Sequence, residues 1–268
     1  MNYNTFFGGI TALIAVSPLH AALIYNESFD YGGTTGNLDA VSSWGSASTF
    51  NDYVHDGGLD VAGMNGETGG AWFAERPGGN LTASLSTSTI DLSTISAGET
   101  IWAGVIFDYK TGGGTHSLSF GGGSVSGLGF LINAAGDVSV SASNNGGATS
   151  TNDTGVDATD GTYFLLLRAT KGTGTSPTNS VVDFWFNPTD ASSVGALGSA
   201  DWTTGADSKW GRDSQTMSGI SGLNSSGGSM DEIRLGNDLV DVVGVVPEPS
   251  TTTLLGLGGL ALILRRRK

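Results

Sequence analysis

Asp231-Glu232 is the obvious acidic pair in this chain. Two carboxyl groups can cleave a glycosidic bond when they flank it, one as acid and the other as nucleophile or base. These two are consecutive, and neighbours along a strand point to opposite faces. They are therefore expected to be structural, satisfied by Arg234 or by turn amides. Residues 51–60 and 152–160 are rich in Asn, Asp and Thr oxygens. Calcium is the cation such loops could take, since it collects six to eight oxygen ligands. Neither stretch has the twelve-residue helix–loop–helix spacing, and turn-forming Asp and Asn explain both, so no metal site is assigned. With His20 in the leader, His55 and His116 are the histidines left, and there is no Cys. That excludes thiol catalysis and Cys-based zinc or iron–sulfur sites. No Gly-x-Ser-x-Gly elbow occurs. Gly112-Gly113-Gly114 and Gly121-Gly122-Gly123 are not followed by Gly-Lys-Ser/Thr, so they are turns and not phosphate loops. The remaining chemistry is stacking. Trp44, Trp72, Trp202 and Trp210 lie in loop-like surroundings and are candidates for packing on sugar rings, whereas Trp102 and Trp185 lie in strong strands and are assigned to the core. No catalytic residue and no cofactor is expected.

The elements that would position these residues are strands. Gly is 44 of 268 residues and charged residues are 13%. The runs 23–29, 100–109, 117–120, 129–133, 138–142, 162–169, 181–186, 230–235 and 239–243 are rich in β-branched and aromatic residues. Val182, Phe184 and Phe186 share one face by the strand period of two. Asn144-Asn145-Gly146-Gly147 and Asp160-Gly161 supply turns, because these residues accept positive φ. No helical period of useful length occurs between the two ends. The pattern predicts an all-β domain of two sheets.

The formal net charge is -14, and four of the eleven basic residues are the last four of the chain. So acidic a surface argues against a nucleic-acid partner and suits solubility outside a cell. At the N-terminus, the apolar run 6–16, then Ser17-Pro18 and Leu19-His20-Ala21-Ala22, forms a signal peptide over residues 1–21, cut by signal peptidase after Ala21 or Ala22. Residues 2–5 lack the usual Lys or Arg of such leaders. The C-terminal apolar run 254–264 would span about 16 Å as a helix against about 30 Å of hydrocarbon, and the Thr run before it adds length. The terminal basic residues would stay cytoplasmic and stop transfer.

Val246-Pro247-Glu248-Pro249-Ser250, an apolar helix over 251–264 and the stop-transfer cluster Arg265-Arg266-Arg267-Lys268 together resemble the PEP-CTERM sorting signal of Gram-negative bacteria. The family's tripeptide falls on Pro247, Glu248 and Pro249. The resemblance covers about the last 25 residues, set here at 244–268. It implies recognition by an exosortase, a membrane cysteine protease, and cleavage near the motif. It also implies display on the envelope surface or outside the cell, after transient membrane anchoring by the C-terminal helix, often in organisms that make extracellular polysaccharide.

Asn26-Glu27-Ser28-Phe29-Asp30-Tyr31 and Met230-Asp231-Glu232-Ile233-Arg234-Leu235 look like the first and last strands of concanavalin-A-like, laminin-G-like domains. That resemblance implies about twelve antiparallel strands in a two-sheet jelly-roll sandwich over residues 22–243, with those two strands paired. Jelly-roll glycosidases usually carry Glu-x-Asp-x-x-Glu along one strand, and no such run occurs here. The expectation is a non-enzymatic surface or matrix protein associated with the envelope or its polysaccharide. A carbohydrate-binding module, with or without calcium, is the alternative, and a glycan hydrolase or lyase is the third reading.

Overall fold

The computed structural model describes residues 23–29, 36–37, 45–46, 52–59, 61, 70–74, 80–91, 94–121, 128–144, 148–173, 180–204, 216–225 and 228–244. Both expected terminal helices lie outside these residues. Among the described residues no helix is long and apolar enough to cross a membrane.

The strands are β1 (Leu23–Glu27), β2 (Gly36–Asn37), β3 (Gly45–Ser46), β4 (Asp52–Asp56), β5 (Gly70–Ala74), β6 (Asn80–Asp91), β7 (Thr100–Tyr109) and β8 (His116–Gly121). They continue as β9 (Leu128–Ile132), β10 (Asp137–Asn144), β11 (Ala148–Asp157), β12 (Gly161–Thr170), β13 (Val181–Phe186), β14 (Trp202–Thr203), β15 (Thr216–Ser225) and β16 (Ser229–Gly236). One helical turn, α1 (Leu239–Val243), follows. The strands form a nine-stranded sheet, β14-β13-β12-β7-β16-β5-β4-β2 with β1 joined to β16, and a seven-stranded sheet, β11-β10-β9-β8-β15-β6-β3. Every pairing is antiparallel.

The two sheets face each other across the main core. Val105, Phe107, Leu165, Leu167 and Phe184 of the larger sheet meet Leu118, Phe120, Phe130, Val138 and Val140 of the smaller one. Phe130 and Phe184 lie 6.2 Å apart between ring centroids. β8 buries His116, Leu118 and Phe120 and leaves Ser117 and Ser119 half-buried, as the period of two requires. The paired first and last strands appear where the resemblance placed them, with Asn26 opposite Arg234 and Glu27 opposite Ile233.

β7 is buried almost throughout because it is covered on both faces. Its outer face, with those of β12 and β13, carries a second cluster. Trp102, Ile106, Phe164, Leu166 and Trp185 lie there beneath Val61, Ala191, Leu197, Leu239, Val242 and Val243.

Residues 239–243 were expected to be a strand and are instead α1. Asp238 accepts from the Leu239 amide at 2.7 Å, Asp241 accepts from the Asp238 amide at 3.1 Å, and Gly244 ends the turn at φ 66. These caps at both ends satisfy the terminal backbone groups and override the β propensity of Val242 and Val243. The turn sits directly on the sheet. A Cβ at Gly104 would lie 2.5 Å from Val242 Cγ1 and 2.9 Å from Phe164, and one at Gly236 would lie 2.5 Å from Asp241 Cβ. Gly104→Ala is therefore expected to destabilise by about 1–3 kcal/mol through overpacking, a loss readable by urea denaturation. A neutral result would mean that α1 does not press on β7.

Candidate functional site

The acidic pair sits where β16 departs from regular alternation. Asp231 lies opposite Ile106 and Arg234 opposite Gly104, so three steps on β16 match two on β7. The extra residue is a β-bulge, and Glu232 occupies it at φ 48. The bulge turns Met230, Ile233 and Leu235 to the main core while Asp231 and Arg234 share the outer face with Ile106 and Gly104. Strict alternation, expected to part Asp231 from Glu232, is interrupted between them, and Glu232 reaches Arg234 beside Asp231.

All three side chains are sealed in. Asp231 and Glu232 are at 0% exposure and Arg234 at 5%. Arg234 donates to Glu232 Oε2 from Nε at 3.0 Å and Nη2 at 2.6 Å, and to the Val242 carbonyl from Nη1 at 3.3 Å. Asp231 accepts the Leu59 amide at 2.8 Å and the Glu232 amide at 2.7 Å. It thereby ties the segment after β4 to the last strand. Burial, assisted by the Glu232 charge, pushes the Asp231 carboxyl up to about 8 against the pull of the two amides and Arg234. An acid of that strength suits proton transfer, but its access is closed by backbone and by the outer cluster.

The raised pKa has a consequence for stability. Folded Asp231 holds its proton to about pH 8, whereas the unfolded chain releases it near 3.8. Its contribution is complete below the unfolded value and is lost as the pH rises through the folded one, at up to about 1.4 kcal/mol per pH unit. Asp231→Asn should remove that component, so the stability difference between parent and variant should change from pH 4 to pH 8. Parallel stability curves would show that Asp231 is ionised in the fold.

The tryptophans divide. Trp102 and Trp185 are buried at 2% and 3% exposure. Their rings stack with centroids 5.8 Å apart. The Arg168 guanidinium lies 5.5 and 5.3 Å from the two rings and donates to Asp183 Oδ2 at 3.0 and 2.6 Å. Desolvated on one side, this cation–π cluster fastens the outer face together. Trp202 is on β14 opposite Phe184, half-buried and packed on the main core, rather than in a loop. Trp72 is on β5 opposite Val54 and Met230. Trp44 and Trp210 lie outside the described residues.

The oxygen-rich stretches also prove to be strands in part. Residues 52–56 form β4, and Asn152–Asp157 belong to β11 opposite Asp137–Val140, so these parts of the two stretches are not loops free to wrap a cation. Among the described residues no group of three His, Asp or Glu could hold a metal ion. His116 is in the main core, edge-on to Tyr109 at 5.7 Å. His55 is placed on β4 opposite Ala71.

The sequence reading overlooked the seat of α1. A Gly inside the most apolar strand signals close approach of another segment. Asp238-x-x-Asp241 followed by Gly244 resembles a capped turn more than a strand.

Gly244 is the last described residue. From Val245 the sequence matches the PEP-CTERM protein-sorting motif over residues 245–268. The chain carries a PEP-CTERM sorting signal. Such a signal implies export to the cell envelope and processing by an exosortase. Its motif residues, Val246–Ser250, and its basic end, Arg265–Lys268, lie outside the described residues. No characterised protein matches the chain in sequence. Similar solved structures include an endo-β-1,4-glucuronan lyase from the fungus Trichoderma reesei, at 12% identity and TM-score 0.43, covering 82% of this chain and 98% of that one. A β-1,3-glucanase from Mycobacterium marinum has 15% identity and TM-score 0.44, covering 81% and 99%. The carbohydrate recognition domain of Emp46p has 15% identity and TM-score 0.41, covering 73% and 88%. Likeness at that level assigns no activity to the PEP-CTERM chain.

Proposed function

We propose that this is an exosortase-processed protein of the cell surface or extracellular matrix whose β domain is non-enzymatic and associates with the envelope or its polysaccharide. The observation that carries the non-enzymatic reading is the sealed acidic pair. Asp231 and Glu232 are fully buried and engaged with Leu59, Arg234 and the chain's own backbone. Carboxylates that must flank a sugar need an open groove between them, and here the outer cluster fills that space.

A carbohydrate-binding role is the second reading, favoured by the outer face of the seven-stranded sheet. Ser119, Gly129 and Ser141 lie in one cross-strand row there, and Ser117, Leu131 and Ser139 in the next. The half-buried hydroxyls of Ser117, Ser119 and Ser141 beside Leu131 make a surface that sugar hydroxyls can approach without displacing strongly hydrated ions, while Gly129 and Ser139 are buried between them.

The test is binding of the processed chain, recovered from the cell surface, to an array of polysaccharides with and without calcium. Under the preferred reading it binds at most to envelope polysaccharide and cleaves nothing. Saturable binding to a defined glycan, weakened by bulky substitutions at Ser119 and Ser141 or by Trp44→Ala or Trp210→Ala, would replace it with the lectin reading. Glycan cleavage lost on joint substitution of Asp231 and Glu232 would overturn it.

A further inference from the structure

We propose that the folded domain restrains removal of its own sorting signal, through the seating of α1 on the nine-stranded sheet. The inference rests on the exosortase-processing reading and concerns its rate. Three features fix the chain up to the edge of the signal. Leu239, Val242 and Val243 are at 0–1% exposure in the outer cluster. Gly104 and Gly236 leave room for Val242 and Asp241 to sit this close to the strands. Arg234, itself locked to Glu232, holds the Val242 carbonyl from beneath.

Only Val245 and Val246 separate Gly244 from Pro247. Even fully extended, that stretch reaches about 10 Å, and the distance from Gly244 to Thr251, where the apolar segment begins, is at most about 25 Å. On the sorting-signal reading, which holds the apolar segment in the bilayer before processing, that short leash of chain is all that joins it to α1. The reaction breaks one peptide bond near the motif. The protease's cysteine thiolate bonds to the acyl carbon, the tail departs as an amine after gaining a proton, and water or an acceptor amine releases the domain. Proteases engage substrate as an extended segment, so the enzyme must enter this gap. Unseating α1 back to Asn237 would roughly double the leash by freeing Asp238–Gly244. The seated and unseated states of α1 therefore set how often the signal is accessible.

The experiment is a pulse-chase of the full chain in cells that contain the sorting protease, following precursor and trimmed product by intact mass. A flexible Gly/Ser spacer of about nine residues between Gly244 and Val245 supplies the missing length without touching the domain. It should accelerate trimming roughly tenfold, the effect of removing a 1.4 kcal/mol pre-equilibrium. The same rate with and without the spacer, in cells where alanine at Pro247, Glu248 and Pro249 blocks trimming, would overturn the restraint and leave the sorting reading intact. A parent chain that is never trimmed would overturn both.

Discussion

Alanine at Pro247, Glu248 and Pro249 together is expected to abolish maturation of the C-terminus. Intact mass of the parent chain from the cell surface should lack Arg265–Lys268, whereas the variant should retain all four residues and remain with the membrane. The expected effect is close to all-or-none, because the triple substitution removes both prolines and the only charge of Val246–Ser250. The match to the sorting motif over residues 245–268 is what motivates it. If the apolar run after the motif anchors the precursor, a chain that keeps it should be extractable by detergent and not by salt. If the parent surface form itself still carries Arg265–Lys268, the signal is not processed and the segment is a permanent anchor.

The second large effect is on stability. Arg234→Ala should destabilise the domain by about 3–5 kcal/mol, since it removes the guanidinium that donates to the buried Glu232 carboxyl. The side chains of the pair are 6% and 0% exposed, so water cannot take over the role of the guanidinium. The Val242 carbonyl loses its donor as well, which should loosen α1. Urea denaturation should show the midpoint falling by about 1–2 M. Replacing both members, Glu232→Gln with Arg234→Met, should recover most of the loss, because an apolar or neutral pair of similar volume removes the buried charges altogether. If Arg234→Ala is near neutral, the bulge is not held by this pair and the acidic residues are free for another role.

How far the sequence carried the fold depended on the type of strand. β7 and β13 were legible residue for residue, because long β-branched and aromatic runs leave no competing period. β6 (NLTASLSTSTID), β11 (ATSTNDTGVD) and β15 (TMSGISGLNS) were not. Their Ser, Thr, Asn and Gly are equally at home in turns, and only pairing of β11 with β10, of β15 with β8 and of β6 with β15 makes them strands. The candidate site shows the same division. That Arg234 would pair within this acidic cluster of Asp231 and Glu232 could be read from the sequence. That a bulge would bring all three to one face could not, because a positive φ at Glu232 has no local signature.

Two properties of this protein were determined by the sequence alone. Its destination is written as a linear motif over residues 245–268, which residue order alone specifies. Its all-β class follows from local period and turn chemistry. Tertiary structure decided the rest. Whether Trp202 lies in a loop or packs on the core, whether Glu232 points away from Asp231 or reaches Arg234 beside it, and whether residues 239–243 extend or coil each depend on what another segment places against them. Burial is a property of segments brought together from far apart in the chain, as Leu59 and Asp231 are, and a local reading of residue types does not contain it.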